Sequence, residues 1–288
     1  MIIKMMLFKK YMNNTISISS PELSQVIIYD NRIVINDIDI NIDVAISDIY
    51  INGVIDKLII SDCNNIINVY CGKVNKFECS KCNNLKKLYF KEIKVFNCNE
   101  LSIEELIIDG GLIELVGVFP NLKTFTYCGG LKIVDCQFLN LVSLNLSHNN
   151  LTYLCIDAPE LIEAKIINNP GLREAQIKCN KLKRLNLSHN NLYRICLYTN
   201  ELEDLNLSYN DFTFFNKRLN KLKLLNLSNN KIDCFAGSYF NLELLDLSDN
   251  NMKIFKAKCN NIKYLYLDRI LNYIPKVNNL YIRHRLII

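Results

Sequence analysis

The sequence predicts an all-β solenoid, with a parallel sheet on one broad face, short extended segments on the opposite face and little or no α-helix. Three observations carry this expectation. From residue 141 onward, a leucine- and asparagine-rich segment returns about every 20 residues. Over most of the chain an apolar pair, spaced i and i+2, returns about every ten residues, which leaves no room for a helix with its 3.6-residue period. Half of the residues, 50%, are hydrophobic, so there is ample material for a core.

The repeat is plainest in LVSLNLSHNNL (141–151), KLKRLNLSHNNL (181–192), ELEDLNLSYNDF (201–212), KLKLLNLSNNKI (221–232) and NLELLDLSDNNM (241–252). Between the first two lies LIEAKIINNPGL (161–172), and NIKYLYLDRIL (261–271) follows the last. These segments match the pattern LxxLxLxxNxL, and on them the chain resembles the leucine-rich-repeat family across at least half its length. The resemblance implies that Leu185 and Leu187, alternating with Asn186, face inward from a short strand that pairs in parallel with its neighbours. It also implies a structural role for the ladder Asn149, Asn169, Asn190, Asn210, Asn230 and Asn250, whose amides would satisfy loop backbone groups out of reach of water.

Taken in order, residues 1–48 alternate Ile and Val with polar residues and read as β-rich capping coils. Residues 49–140 keep the ten-residue beat in degenerate coils, with pairs such as Ile49–Ile51, Leu58–Ile60, Phe77–Cys79 and Leu88–Phe90. Both half-repeat phases fit them, so the face each pair occupies stays open. Cys63 and Cys82 are read as occupants of the asparagine position, where the family also tolerates Cys. Residues 141–271 are the regular repeats, and 272–288 a shortened final coil with Leu280 and Ile282 inward. The whole reads as one elongated, monomeric domain of about a dozen coils.

Charge and cysteine content narrow the function. Charged residues make up 22% and the net charge is +5, spread without runs of like sign, which argues against nucleic acid as the partner. No stretch approaches the roughly 18 uncharged apolar residues of a membrane span, and Lys4, Lys9 and Lys10 interrupt the apolar N-terminus. A soluble, cytoplasmic protein is expected. The 12 cysteines are scattered and read as reduced thiols. The CxxC of Cys79 and Cys82 lacks a second pair to complete a zinc site. Tryptophan is absent while Ile, Asn, Lys and Tyr abound, the residues of AT-rich codons, so a pathogen or large DNA virus is the expected source.

No phosphate loop, HExxH or GxSxG motif occurs. His148, His189 and His284 are too far apart in the repeat to form a ligand set. The chain is therefore expected to be no enzyme and to need no metal or cofactor. Outward positions of the LxL strands form columns. Asn145, Asn186, Asn206, Asn226 and their neighbours Ser147, Ser188, Ser208, Ser228 and Ser248 are so uniform that they read as lateral hydrogen bonding between coils. The varied columns carry the expected binding residues, Arg184, Asp204, Tyr209, Tyr264, Tyr266 and Arg269, because Tyr and Arg are over-represented among energetic anchors. The expected partner is a protein, with no nucleic acid and no membrane. Two other readings stay open: a structural or adhesin-type spacer, which needs export, and a regulatory subunit of an enzyme.

Overall fold

The computed structural model describes residues 15–29, 32–35, 38–41, 47–98, 101–268 and 279–282. Contacts divide the chain into two compact units, Met1–Leu141 and Val142–Ile288. Both are β-solenoids built mainly of parallel strands, and no helix occurs among the described residues.

In the second unit, the LxL segments form one parallel sheet from Ser143–Asn145 to Asn279–Ile282. Leu185 pairs in register with Leu205, then in turn with Leu225, Leu245 and Leu265. Period-two alternation sends these leucines inward, and Leu205, Leu207, Leu225 and Leu227 are each 0% exposed. On the opposite face Tyr153–Asp157, Glu174–Lys178 and Arg194–Tyr198 pair in parallel. Phe214–Phe215, Cys234–Ser238 and Ile254–Lys258 form a separate sheet. The sheet is interrupted where coil 211–219 has only a two-residue strand.

The corner that leaves the LxL strand is built the same way in every regular coil. His148, Asn168, His189, Tyr209, Asn229 and Asp249 all take a left-handed backbone, with φ from 54 to 59°. The next residue is the asparagine of the ladder, buried in each coil but the last, where Asn250 is half-buried. Asn210 donates its amide to Leu187 O at 2.9 Å and Leu207 O at 3.1 Å, and its Oδ1 accepts Leu192 N–H at 2.9 Å. Asn190, Asn230 and Asn250 likewise donate both within their own coil and to a carbonyl of the preceding coil. Asn169 reaches Leu146 O and Asn149 bonds Leu146 O within its own coil. Each asparagine thus satisfies backbone groups that the turn has removed from the sheet.

The first unit solves the same corner differently. Asp48–Ser61, Asn68–Ser80 and Lys87–Cys98 are strands of 14, 13 and 12 residues, paired in parallel along their lengths. Each runs through the corner without stopping. Strand Lys87–Cys98 shows it directly: its first part pairs with Glu105–Ile108 and its second with Glu114–Phe119, two separate strands of the next coil. The bend falls at a bulge between Ile51 and Val54, where Gly53 has φ 138°. A Cβ on Gly72 would lie 2.7 Å from Gly53 O, so the chains approach closely only because both are glycine. Preceding these, Thr15–Tyr29 lies parallel to Asp48–Ser61 and continues into antiparallel Arg32–Ile35 and Ile38–Asn41. The core here is aromatic, with Phe77, Phe90, Phe96, Phe119 and Phe138 all 0% exposed.

This settles the open phase and corrects one expectation. Phe96–Cys98 pair with Leu115–Gly117, which pair with Val134–Cys136, half a repeat before the LxL strand Ser143–Asn145. Leu88–Phe90 is therefore the LxL pair, and Phe77–Cys79 and Phe96–Cys98 belong to the opposite face. Cys63 and Cys82 therefore stand at the other corner of the coil, but there they repeat the asparagine geometry: each follows a left-handed residue, Asp62 and Lys81 (φ 54° for both), and each thiol donates to the carbonyl two residues back and to one of the preceding coil. Cys82 sits at the other corner, where Leu85 N–H donates to Cys82 O at 3.3 Å just as Leu182 N–H donates to Cys179 O at 3.2 Å. Its thiol donates to Ser80 O at 3.2 Å. At the corner after Phe125–Tyr127, the Tyr127 hydroxyl accepts Leu112 N–H at 2.8 Å, the kind of bond an asparagine Oδ1 accepts in the regular coils.

Candidate functional site

The outward side of the LxL sheet is flat because its strands pair in unbroken register, and its side chains stand in rows about 4.8 Å apart from coil to coil. Arg184 and Asp204 are register neighbours on adjacent strands. The Arg184 guanidinium donates to Glu163 at 2.8 Å, and this bond, with one from Lys165, holds the Glu163 carboxyl below its usual range. Partial burial pushes Asp204 upward, against the opposing pull of Arg184. Tyr264, 40% exposed, and the half-buried Tyr266 both lie on the outward side of strand Tyr264–Leu267.

Tyr209 is not on the sheet. It occupies the left-handed corner position, is 49% exposed, and stacks on His189 with centroids 4.1 Å apart and planes 11° from parallel. A left-handed backbone costs an ordinary L-residue roughly 1–2 kcal/mol, with Asn and Asp the usual exceptions. His189 and Tyr209 thus hold a backbone conformation that their residue types do not favour, and there they stack on each other. Tyr209 and Tyr264 are three coils apart, about 14 Å by strand spacing. The expected residues therefore fall into three groups: Arg184 with Asp204, Tyr264 with Tyr266, and Tyr209 with His189. Arg269 and His284 lie outside the described residues.

Between the first two groups stand Leu224 and Leu244, in register with Asp204 and Tyr264. Leu224 is 41% exposed, so a short apolar run, Leu224, Leu244 and Tyr264, crosses the outward sheet. The sequence signal for it was leucine at an outward position of the strand, and it was not drawn into the expected site. A row of ion pairs flanks this run, Glu203 with Lys223 and Glu243 with Lys263, each at 2.7 Å. Such exposed pairs add little stability, but they orient charge along one edge of the run.

The serine row is corrected. Ser188, Ser208, Ser228 and Ser248 are buried, at 0 to 6% exposure, because the left-handed residue that follows turns the chain before alternation would send them outward. Nor do the uniform rows bond mainly between coils. Ser188 N–H donates to Asn186 Oδ1 at 3.0 Å, and Ser208 donates to Asn206 Oδ1 through both its N–H and its hydroxyl, at 3.0 and 2.8 Å. Asp246 does the same for Ser248. These are local turns that close the strand within one coil.

The cysteines described are free, and most are buried. Hydrogen bonding to Cys82 and burial push Cys79 upward, so it is a poor nucleophile at neutral pH. Among the described residues, no group of three or more His, Cys, Asp and Glu is placed to hold a metal ion, and no helix is long and apolar enough to cross a membrane.

No protein-family profile matches the sequence, and no curated protein matches it. Solved structures do. YopM from Yersinia enterocolitica WA-314 is similar at 15% identity over 93% of this chain and 73% of that one, with a TM-score of 0.34. The leucine-rich repeat domain of APL1B is similar at 18% identity over 75% of this chain and 76% of that one, with a TM-score of 0.31. TLR13 in its complex with ssRNA13 is similar at 14% identity over 80% of this chain and 57% of that one, with a TM-score of 0.21.

Proposed function

We propose that this protein is a non-enzymatic protein–protein interaction module that holds its partner on the outward face of the LxL sheet in Val142–Ile288. The observation that carries the reading is the fixed array on that face. Arg184, Asp204, Leu224, Leu244, Tyr264 and Tyr266 stand on strands in unbroken register, with Tyr209 held at the adjoining corner. Because the backbone beneath them is already ordered, binding costs little conformational entropy, and Tyr and Arg are the side chains best suited to anchor a protein partner. The leucine-rich-repeat pattern of the sequence supports the same class of function. The proposal includes a monomeric protein working in the cytoplasm, without nucleic acid or membrane as its target. Composition alone supports an effector encoded by an AT-rich pathogen or viral genome.

The test is affinity purification of the tagged protein from its natural cellular setting, with wild type compared against a variant carrying Tyr209→Ala, Tyr264→Ala and Arg269→Ala. Capture of a specific protein should weaken at least tenfold, which corresponds to about 1.4 kcal/mol, with thermal stability nearly unchanged. Undiminished capture of every co-purifying protein would contradict the reading.

A further inference from the structure

One coil on the face opposite the LxL sheet departs from its neighbours, and its sequence says why. Along that face Ile156, Ile177 and Leu197 share one inward column, and further on Gly237 stands beside Ala257 in the same column. The 20-residue repeat, which sets Phe215 beside Phe235, puts Lys217 in that column between Leu197 and Gly237. Every other member is apolar or glycine. A lysine ammonium is not left in a core without a carboxylate to neutralise it, and among the described residues Lys217 has none at ion-pair distance. The coil gives way instead. Its strand, Phe214–Phe215, stops after two residues where its neighbours have five, and Lys217 is left half-buried between exposed Asn216 and Arg218.

The backbone records the loss. At the corner after each opposite-face strand, Ala158 N–H donates to Lys178 O at 2.9 Å, Cys179 N–H to Tyr198 O at 3.1 Å and Tyr239 N–H to Lys258 O at 2.9 Å. The two equivalent bonds that involve coil 211–219, Thr199 N–H to Arg218 O and Leu219 N–H to Ser238 O, are not made. Asn216, Lys217 and Arg218 have no hydrogen bond and no ion pair to any described residue. At the same corner, the buried hydroxyls of Thr199 and Tyr239 also lack a partner. Local opening is easiest where ladder bonds are missing. Burial of Phe215 and Leu219, 2% and 5% exposed, is what holds the two ends of the segment.

We propose that Lys217–Arg218 is a processing site at which a trypsin-like protease of dibasic preference cuts the chain, leaving two pieces that stay docked. A protease of this class lays an extended stretch of substrate in its cleft by backbone hydrogen bonds and takes a Lys or Arg side chain into an acidic pocket. Segment 216–218 offers both, because its backbone groups are unpaired and its basic side chains reach solvent. The protease serine attacks the carbonyl carbon of Arg218, the bond to the Leu219 nitrogen breaks, and Leu219 leaves as a protonated amine. Water then releases the acyl group as the Arg218 carboxylate. The pieces remain together because the LxL strands on either side of the cut, Asp204–Asn206 and Leu224–Asn226, are paired in register. The site lies on the opposite face and uses none of the residues of the proposed binding array.

The test is native digestion of the intact protein with a trace of trypsin, with the cuts timed by mass spectrometry of the fragments. Lys178 and Lys258 hold the same place in their coils as Arg218, with the corner bond made, and serve as internal controls. Within residues 47–268 the first cut should follow Lys217 or Arg218, at least tenfold faster than at Lys178 or Lys258, and the nicked protein should elute from size exclusion with the intact one. Lys217→Leu keeps Arg218 but returns an apolar residue to the inward column, and should slow cutting after Arg218 at least tenfold. Lys217→Gln with Arg218→Gln should abolish the cut while circular dichroism stays the same. A first cut elsewhere in 47–268, equal rates at Lys178, Arg218 and Lys258, undiminished cutting after Arg218 in Lys217→Leu, or separation of the two pieces would each overturn the inference.

Discussion

At the corner that leaves the LxL strand, the coils of residues 47–98 keep their strands running, whereas those of 142–268 break them with a left-handed residue and an inward asparagine. In the running strands the backbone groups stay in the sheet ladder, so no polar side chain is needed inside. The requirement is close approach, met by Gly53 and Gly72. In the broken corner several N–H and C=O groups leave the ladder inside the protein, and one asparagine per coil takes them up. The broken corner also does something the running strand cannot: it projects one exposed side chain per coil at a fixed position, as Tyr209 and His189 show. This corner thus has a continuous form in coils 47–98 and a punctuated form in 142–268; the continuous coils carry their left-handed residues, Asp62 and Lys81, at the other corner, each before a buried cysteine.

Breaking the shared part of both forms, the inward leucines, should have the largest effect. Leu205→Ala or Leu225→Ala should cost about 2–5 kcal/mol, the range for a fully buried leucine, read from urea unfolding of the second unit. A loss below about 0.5 kcal/mol at both sites, typical of a surface change, would mean that the inward face is misassigned.

The device particular to the punctuated coils comes next. Asn210→Ala leaves Leu192 N–H without its side-chain partner and removes one of the two amide donors at Leu187 O and Leu207 O, which keep Asn190 and Asn230, and a buried group left unsatisfied costs roughly 1–3 kcal/mol. A loss of about 2–3 kcal/mol in urea unfolding is expected, whereas a neutral result would show that water reaches the corner.

The device particular to the continuous coils is probed at Gly72. A Cβ there would meet Gly53 O at 2.7 Å and Gly53 N at 3.0 Å, both backbone atoms that cannot swing away. Gly72→Ala should destabilise by about 1–3 kcal/mol, as overpacking does. Gly110→Ala, with nothing within 4 Å of the new Cβ, should have far less effect. Equal melting shifts for the two would remove the close approach as the reason for Gly72. The smallest effect belongs to the surface pairs. Lys223→Ala removes the 2.7 Å contact to Glu203, both partners being exposed, and should leave the unfolding midpoint where it was.

The punctuated coils were legible because their asparagines and leucines return at a fixed spacing, so one reading of Leu205 and Asn210 serves every neighbour. In 47–98 the phase was ambiguous for a physical reason. Ile49, Ile51, Leu58 and Ile60 lie on one strand, and their alternation runs through the corner with only a bulge to mark it. The available sign was Cys-Asn-Asn at 63–65 and 82–84, matching Cys179-Asn180 and Cys259-Asn260-Asn261 at the opposite corner. The burial of Ser188 and Ser208 was not legible from alternation, because a left-handed His189 or Tyr209 is a tertiary choice that the residue type does not announce. For the candidate site, the columns held Arg184, Asp204 and Tyr264 on one face, but the separation of Tyr209 from them followed from the backbone at the corner.

The proposed binding face rests on the claim that the buried asparagines hold the outward array in place. Amide hydrogen exchange tests this most directly, at Leu192 N–H, which donates to Asn210 Oδ1, and at Phe212 N–H, which donates to Asn230 Oδ1. In the wild type both should exchange as slowly as the amides of the sheet core. In Asn210→Ala, protection should collapse at Leu192 and persist at Phe212, with Tyr209 losing its fixed position and the captured partner released with it. Unchanged protection at Leu192, or partner capture undiminished after protection is lost, would contradict the account.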